Sequence, residues 1–193
     1  GGSSNATTTL LGLNQLYGGL LEEKELADLS ASLGSDCPLF LDKRAQLMSG
    51  RGDELERLPK VLLDRIRNQR LLLIIPPFSI NTAWAYDQMR DNPGVYISKA
   101  ESNKHWLKWC ESSRPLSELL SNNMEILAFR KHLALPVLLE FLKEEFDLNC
   151  GMTGSGSCCF ALYGDREHDL GRIDEAIKSF CGEGFRLQET VIL

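Results

Sequence analysis

The sequence lacks any apolar run long enough to span a lipid bilayer. Its longest strongly apolar stretch, residues 71–75, is a short run of leucine and isoleucine, whereas a transmembrane helix needs about 20 apolar residues. An excess of basic residues is also lacking, because 21 Lys and Arg stand against 27 Asp and Glu, giving a formal net charge of −6. Broad nucleic-acid binding requires a concentrated positive field. We therefore expect neither a membrane span nor a nucleic-acid partner.

Metal and disulfide patterns are absent as well. No two of the six cysteines have the Cys-x-x-Cys spacing of a zinc or thioredoxin site, and the three histidines are far apart in the chain. With no signal peptide in view, we expect free thiols and no protein-held metal. The chain of 193 residues is 43% hydrophobic and 25% charged. This composition and length are typical of a globular protein with a buried hydrophobic core.

Apolar periodicity divides the chain into helices and short strands. Helical spacing predicts helices at residues 6–17, 20–33, 81–89, 118–132, 135–146 and 165–180. Apolar runs bounded by turn residues predict strands at residues 45–48, 54–58, 71–75, 157–163 and 185–193. We interpret residues 59–68 as a connection and residues 90–113 as a polar, variable insertion. From residue 70 onward, the order strand, helices, strand, helix, strand is typical of an α+β architecture.

Two glycine-rich segments fit an anion site. Residues 1–6 place two glycines and three polar side chains before a helix, where exposed amide groups and the helix dipole favour an anion. A flexible linker or tag remnant is the alternative. Residues 151–157 contain three glycines and three hydroxyl side chains, which fit either an anion-binding nest or a tight turn with a bulge. Neither segment is a Walker A loop or a Rossmann fingerprint.

A third segment, residues 34–40, centres on Asp36. This aspartate fits the N-cap of a short turn, with Pro38 in an early helical position. It equally fits a carboxylate aimed at a substrate hydroxyl, which phosphoryl transfer uses to orient or deprotonate an alcohol. The segment alone leaves both interpretations open.

These three segments, in this order, resemble the motifs of the GHMP kinases. Further matches are the turn at residues 49–53, the Pro-Pro-Phe-Ser-Ile-Asn-Thr run at residues 76–82, and the Asn-Asn-Met-Glu run at residues 122–125. Each motif alone is weak, but the ordered set is specific and extends over essentially the whole chain. Within the family, the chain most resembles kinases that act on 4-diphosphocytidyl-2-C-methyl-D-erythritol in non-mevalonate isoprenoid biosynthesis.

The resemblance implies an α+β, two-domain architecture. Residues 1–60 would be the C-terminal part of the ATP-binding domain, which has a ribosomal-protein-S5-domain-2-like fold, and residues 70–193 the ferredoxin-like α/β sandwich domain. The implied activity is transfer of the γ-phosphoryl group of ATP, with Mg²⁺, to the 2-hydroxyl of the cytidyl substrate. The implied partners are these small molecules. Monomer and homodimer stay open, and the expected compartment is the bacterial cytoplasm or the plastid stroma.

The resemblance also implies roles for individual residues. Asp36 would be the catalytic aspartate that activates the substrate hydroxyl. The ATP phosphates would contact the first segment, namely Gly1, Gly2, Ser3, Ser4 and Asn5, with the serine hydroxyls near the magnesium ion and no residue assigned as a metal ligand. The substrate pocket, in which Tyr86 would offer its ring to the cytidine, would be bordered by Gly50, Arg51, Thr82, Tyr86, Gly154, Ser155 and Gly156.

Intact members of the family have a further upstream stretch with a lysine that works with the aspartate, the adenine-binding residues and the opening glycines of the phosphate loop. The sequence therefore predicts an N-terminally incomplete kinase whose first domain leaves an apolar face uncovered. Two alternatives stay open. One is another GHMP kinase, acting on mevalonate, homoserine or a sugar, and the other is a catalytically inactive fragment.

Overall fold

The computed structural model describes residues 1–50, 52, 54–163 and 168–192. The chain forms two compact units, unit 1 at Gly1–Asp64 and unit 2 at Arg65–Leu193. The helices are α1 (Gly2–Leu16), α2 (Glu23–Leu33), α3 (Lys60–Ile66), α4 (Thr82–Asp91), α5 (Lys99–Cys110), α6 (Asn123–Lys131), α7 (Ala134–Phe146) and α8 (Leu170–Cys181). The strands are β1 (Gln46–Ser49), β2 (Glu54–Arg57), β3 (Arg70–Ile75), β4 (Asn149–Met152), β5 (Cys159–Leu162) and β6 (Arg186–Val191).

Unit 1 consists of two helices, a short 3-10 helix at Pro38–Leu41 and the antiparallel hairpin β1–β2. Helix α1 packs against both α2 and the 3-10 helix. A capping box begins α2, in which the side chains of Glu22 and Glu25 each accept a backbone N–H of the other residue. Among the described residues of this unit, exposed large apolar side chains outnumber buried apolar ones; the exposed set is Leu13, Leu16, Tyr17, Leu20, Leu29, Leu33, Phe40, Met48 and Val61.

Unit 2 is organised around a four-stranded antiparallel sheet of order β4-β5-β3-β6. Alternate residues of β3 point to the core, and they pair with buried residues of β5, Leu72 with Ala161 and Ile74 with Cys159. These four side chains belong to one apolar cluster with the buried residues of α7 and α8, which are Leu135, Leu138, Leu139, Leu142, Ile173 and Ile177. Helices packed on an antiparallel sheet confirm the predicted α+β class.

The structure corrects two predicted connections, because both contain helices. Residues 59–68 hold α3, whose Leu62 is buried. Residues 90–113 hold α5, which a capping box of Ser98 and Glu101 begins. The indole of Trp109 is buried there and donates to the carbonyl of Pro115 at 3.1 Å, so a single apolar anchor stabilises an otherwise polar helix. The apolar periodicity of both helices is too weak to predict them from the sequence, because each buries only one face, with Leu62 buried in α3 and Trp109 in α5.

The structure also adds a strand that the sequence did not predict. Strand β4 consists of Asn, Cys, Gly and Met, which have neither alternation nor high β-propensity. It exists because it pairs with β5, Met152 lying opposite Cys159. The predicted helix over residues 165–180 is observed from Leu170, and residues 165–167 lie outside the described part of the chain. No helix among the described residues is both long and apolar enough to cross a membrane.

Candidate active site

The first glycine segment forms the opening turn of α1. The helix begins at Gly2 with Gly1 as its N-cap residue, and no side chain caps it. The predicted start of this helix at residue 6 is therefore wrong, because the N–H of Asn5 donates to the carbonyl of Gly1 at 3.0 Å and closes a helical turn. The first amide N–H groups of a helix lack intrahelical acceptors, and together with the helix dipole they favour an anion.

Asp36 lies in the short loop between α2 and the 3-10 helix, and it is exposed. The cap position of the 3-10 helix is Cys37, with Pro38 at its first position. The carboxylate of Asp36 is therefore not used as a cap; its Oδ1 accepts a hydrogen bond from the hydroxyl of Ser35 at 3.2 Å. Buried Thr7 of α1 donates its hydroxyl to the carbonyl of Cys37 at 2.8 Å. This bond anchors the residue that follows Asp36 to helix α1.

The turn of the β1–β2 hairpin lies against the Asp36 loop. Gly52 is buried and has a φ of +97°. A Cβ atom at Gly52 would lie 3.2 Å from the carbonyl oxygen of Ser35 and 3.6 Å from Oδ1 of Asp36. The predicted residue Gly50, with a φ of +66°, occupies the same turn. The predicted residue Arg51 lies outside the described residues.

In unit 2, the predicted substrate residues lie at the start of α4. Asn81 is the N-cap residue, and its side-chain oxygen accepts the N–H of Trp84 at 2.9 Å. Thr82 opens the helix and Tyr86 follows one turn later on the same face. The ring of Tyr86 is 60% exposed, so it is available to stack on a planar ligand.

The second glycine segment connects β4 to β5 as a tight turn. The N–H of Thr153 donates to the carbonyl of Cys158, and the N–H of Gly156 donates to the carbonyl of Thr153, both at 2.9 Å. Ser155 lies at the tip, and its hydroxyl lies 3.2 Å from the hydroxyl of Thr82. The segment is thus both a tight turn, one of the two interpretations of its sequence, and a neighbour of the predicted substrate residues.

A side chain at Gly156 would have to displace its neighbours. Its φ is +80°, and a Cβ atom there would lie 2.6 Å from Sδ of Met152 and 2.8 Å from Cδ1 of Ile80. Gly154 also has a positive φ, +55°, but nothing lies within 4 Å of its Cβ position. Both glycines therefore have a positive φ that other residues rarely adopt. Only at Gly156 would an added side chain also clash with neighbouring atoms.

Two residues at the start of α6 contact the glycine segment, and the sequence suggested no role for either of them. The side-chain amide of Asn122 donates to the carbonyls of Met152 and Gly154 at 2.9 and 2.8 Å. Oε1 of Glu125 accepts the N–H of Met152 at 2.5 Å. Burial raises the pKa of the Glu125 carboxyl, and this hydrogen bond partly opposes the effect. The only sequence signal was the Asn-Asn-Met-Glu resemblance, because these contacts span about thirty residues.

The structure thus gathers the predicted residues into two groups, one in each unit. In unit 1, Asp36 lies beside the hairpin turn that contains Gly50, and α1 is bonded to the residue that follows Asp36. In unit 2, Thr82 meets Ser155 between Gly154 and Gly156. Within the described ranges, no group of three His, Cys, Asp or Glu side chains is arranged to hold a metal ion.

The chain is similar to known kinases along most of its length. Residues 111–184 match the family described as GHMP kinases C terminal. A 4-diphosphocytidyl-2-C-methyl-D-erythritol kinase of Prochlorococcus marinus is 33% identical over 179 residues, covering 86% of this chain and 54% of the relative. One of Geobacter sulfurreducens is 30% identical over 170 residues, covering 86% and 56%. The chain therefore spans about half the length of these relatives.

Two solved structures share the fold. A crystal structure of 4-(cytidine 5'-diphospho)-2C-methyl-D-erythritol kinase superposes with a TM-score of 0.71 at 24% identity, covering 99% of this chain and 64% of that one. A homoserine kinase from Cytophaga hutchinsonii gives a TM-score of 0.55 at 17% identity, covering 94% and 61%. Because these identities are low, the superpositions support the fold alone. The resemblance seen in the sequence is confirmed by the family match at residues 111–184, described as GHMP kinases C terminal, and by the two relatives that are at least 30% identical.

Proposed function

We propose that this chain carries the substrate site and the catalytic aspartate of a kinase for 4-diphosphocytidyl-2-C-methyl-D-erythritol. The observation that carries this proposal is the sequence similarity to kinases of that name, which covers 86% of the chain in two relatives. Such an alignment includes residues of both units. The reaction transfers the γ-phosphoryl group of ATP to the 2-hydroxyl of the substrate and releases ADP.

In unit 2, the cytidyl end of the substrate binds at the start of α4. The exposed ring of Tyr86 stacks on the cytosine, since every base has a π-face that an aromatic side chain can cover. The hydroxyls of Thr82 and Ser155 share a hydrogen bond of 3.2 Å, so one of them keeps its hydrogen free to donate to a substrate oxygen. Glycines at positions 154 and 156 let the backbone of the turn come close to the ligand.

In unit 1, the triphosphate of ATP binds at the first turn of α1. Its amide groups point out of the helix end, and the first turn contains no acidic side chain that would repel an anion. Gly2 and Gly1 have nothing within 4 Å of their Cβ positions, so the backbone there is open to a phosphate. The hydroxyls of Ser3 and Ser4 would lie near a bound Mg²⁺ ion, which would supply positive charge to offset that of the phosphates.

Asp36 acts as the general base. Its carboxylate is exposed and holds no helix cap, so it is available to accept the proton of the substrate hydroxyl. The hydroxyl oxygen then attacks the γ-phosphorus while the bond to ADP breaks. Gly50 lies in the hairpin turn beside this position, where Gly52 has a φ of +97° and a Cβ atom would lie 3.2 Å from the carbonyl oxygen of Ser35.

A titration of the chain with 4-diphosphocytidyl-2-C-methyl-D-erythritol tests the proposal. Binding is the readout because the relatives are longer than this chain. We expect saturable binding, weakened in Tyr86→Ala by about 5- to 160-fold, the equivalent of about 1–3 kcal/mol of base stacking. Tyr96→Ala is the matched control, since Tyr96 is 53% exposed in the same unit and has no assigned role.

The same titration separates the alternatives. Equal or tighter binding of homoserine, mevalonate or a sugar than of the cytidyl compound would favour another GHMP kinase. Absence of saturable binding by the unmodified chain, or an equal loss of affinity in the Tyr86 and Tyr96 variants, would contradict the proposed site.

A further inference from the structure

The turn that presents Ser155 has few contacts of its own. Its internal hydrogen bonds are the two made by the N–H groups of Thr153 and Gly156. Gly154 has no neighbour within 4 Å of its Cβ position. Ordering such a glycine-containing turn costs more conformational entropy than ordering ordinary residues. The turn therefore depends on neighbouring elements for a single conformation.

Asn122 contacts the turn through both hydrogens of its side-chain amide. Its Nδ2 donates to the carbonyl of Met152 at 2.9 Å, where the turn begins, and to the carbonyl of Gly154 at 2.8 Å, next to Ser155. Its Oδ1 accepts the N–H of Met124 at 3.0 Å and caps α6. The orientation of the amide follows from these partners, because a flipped amide would place its oxygen against two carbonyl oxygens.

The turn is linked on its other side to the segment that leads into α4. The hydroxyl of Ser157 donates to the carbonyl of Phe78, and the hydroxyl of Ser155 meets that of Thr82. Asn122 has no hydrogen bond with Thr82 or Tyr86 among the described contacts. Asn122 is hydrogen-bonded to the turn, and the turn is itself hydrogen-bonded to the predicted substrate residue Thr82.

We propose that Asn122 is a positioning residue for the substrate site, which holds Ser155 opposite Thr82 through its two bonds to the turn. This role rests on the proposed function of unit 2. It is separate from helix capping, because Oδ1 serves the cap and Nδ2 serves the turn. A ligand that needs the ordered turn has an apparent Kd equal to its intrinsic Kd divided by the fraction of molecules in which the turn is ordered, so binding weakens as that fraction falls.

The two roles are separated by a pair of substitutions. Asn122→Ser keeps an oxygen acceptor at the cap but has no donor long enough to reach the two carbonyls, whereas Asn122→Ala removes both functions. Ser98→Ala is the matched control, because it removes a capping residue of α5 in the same unit and has no contact with the turn. Each variant is compared with the unmodified chain by urea unfolding, by hydrogen exchange of residues 153–157 and by titration with 4-diphosphocytidyl-2-C-methyl-D-erythritol.

For Asn122→Ser we expect faster exchange at the turn, roughly tenfold weaker substrate binding and an unfolding midpoint close to that of the unmodified chain. Ser98→Ala lowers the midpoint without changing either of the other readouts. Exchange and affinity in Asn122→Ser that equal those of the unmodified chain would overturn the proposal. If the unmodified chain does not bind the cytidyl compound, the proposed function fails, while hydrogen exchange still decides whether Asn122 orders the turn.

Discussion

The two glycines of the β4–β5 turn allow a quantitative test of the packing around the candidate site. Both have positive φ values, so alanine at either position costs about 1 kcal/mol of backbone strain. Only at Gly156 would the new methyl group also collide with Met152 and Ile80, at 2.6 and 2.8 Å. Overpacking of a buried site typically costs about 1–3 kcal/mol. We therefore expect Gly156→Ala to lose about 2–4 kcal/mol and Gly154→Ala about 1 kcal/mol.

Urea unfolding followed by tryptophan fluorescence measures this difference. The three tryptophans of the chain, Trp84, Trp106 and Trp109, all lie in unit 2, so the signal reports the unit that contains the turn. With a slope of about 1.5 kcal/mol per M urea, the midpoint falls by about 0.7 M in Gly154→Ala and by about 1.3–2.7 M in Gly156→Ala. Equal midpoints for the two variants would refute the packing of Gly156 against Met152 and Ile80.

Two further predictions concern the acidic residues of the candidate site. In a kinase of the relatives' full length that contains this chain, Asp36→Asn should lower the kcat of cytidyl-dependent ADP release by about a hundredfold or more, because general bases contribute about 10²–10⁴-fold. The Kd of the cytidyl compound should stay within about twofold, and an unchanged kcat would remove Asp36 from the chemistry. Glu125→Gln tests the raised pKa of the Glu125 carboxyl. Above pH 4.5, the ordinary pKa of this group, the native state holds the proton more tightly than the unfolded state does. The carboxyl therefore makes the free energy of unfolding fall as the pH rises. The glutamine keeps an acceptor for Met152 without titrating, so the stability of the variant relative to the unmodified chain should increase between pH 4.5 and 7 in urea unfolding. A pH-independent difference for Glu125→Gln would contradict the raised pKa.

Local sequence patterns predict the elements whose own residues carry the signal. The β1–β2 hairpin follows from apolar runs around a glycine turn, and Asn81 is the N-cap residue because its side chain bonds to a backbone N–H three residues away. By contrast, β4 is a strand only because β5 lies beside it, and α5 depends on Trp109, whose indole partner is the carbonyl of Pro115. Such partners lie outside the windows in which periodicity is read.

The same distinction holds at the candidate site. The order of the motifs predicts that Asp36, Thr82 and the 154–156 turn serve the same reaction. A local pattern does not show whether Asp36 is the N-cap residue of the short helix that follows it. That depends on a shift of one residue, since the cap position is taken by Cys37. The roles of Asn122 and Glu125 depend on hydrogen bonds to residues about thirty positions away, which no spacing rule contains.

The central claim is that the substrate is a cytidyl-linked alcohol, and binding of a panel of substrates to the chain tests it most directly. The panel pairs 4-diphosphocytidyl-2-C-methyl-D-erythritol with homoserine and mevalonate under identical conditions. We predict saturable binding of the cytidyl compound and none above background of the other two. Saturable binding of homoserine or mevalonate, and none of the cytidyl compound, would contradict the account.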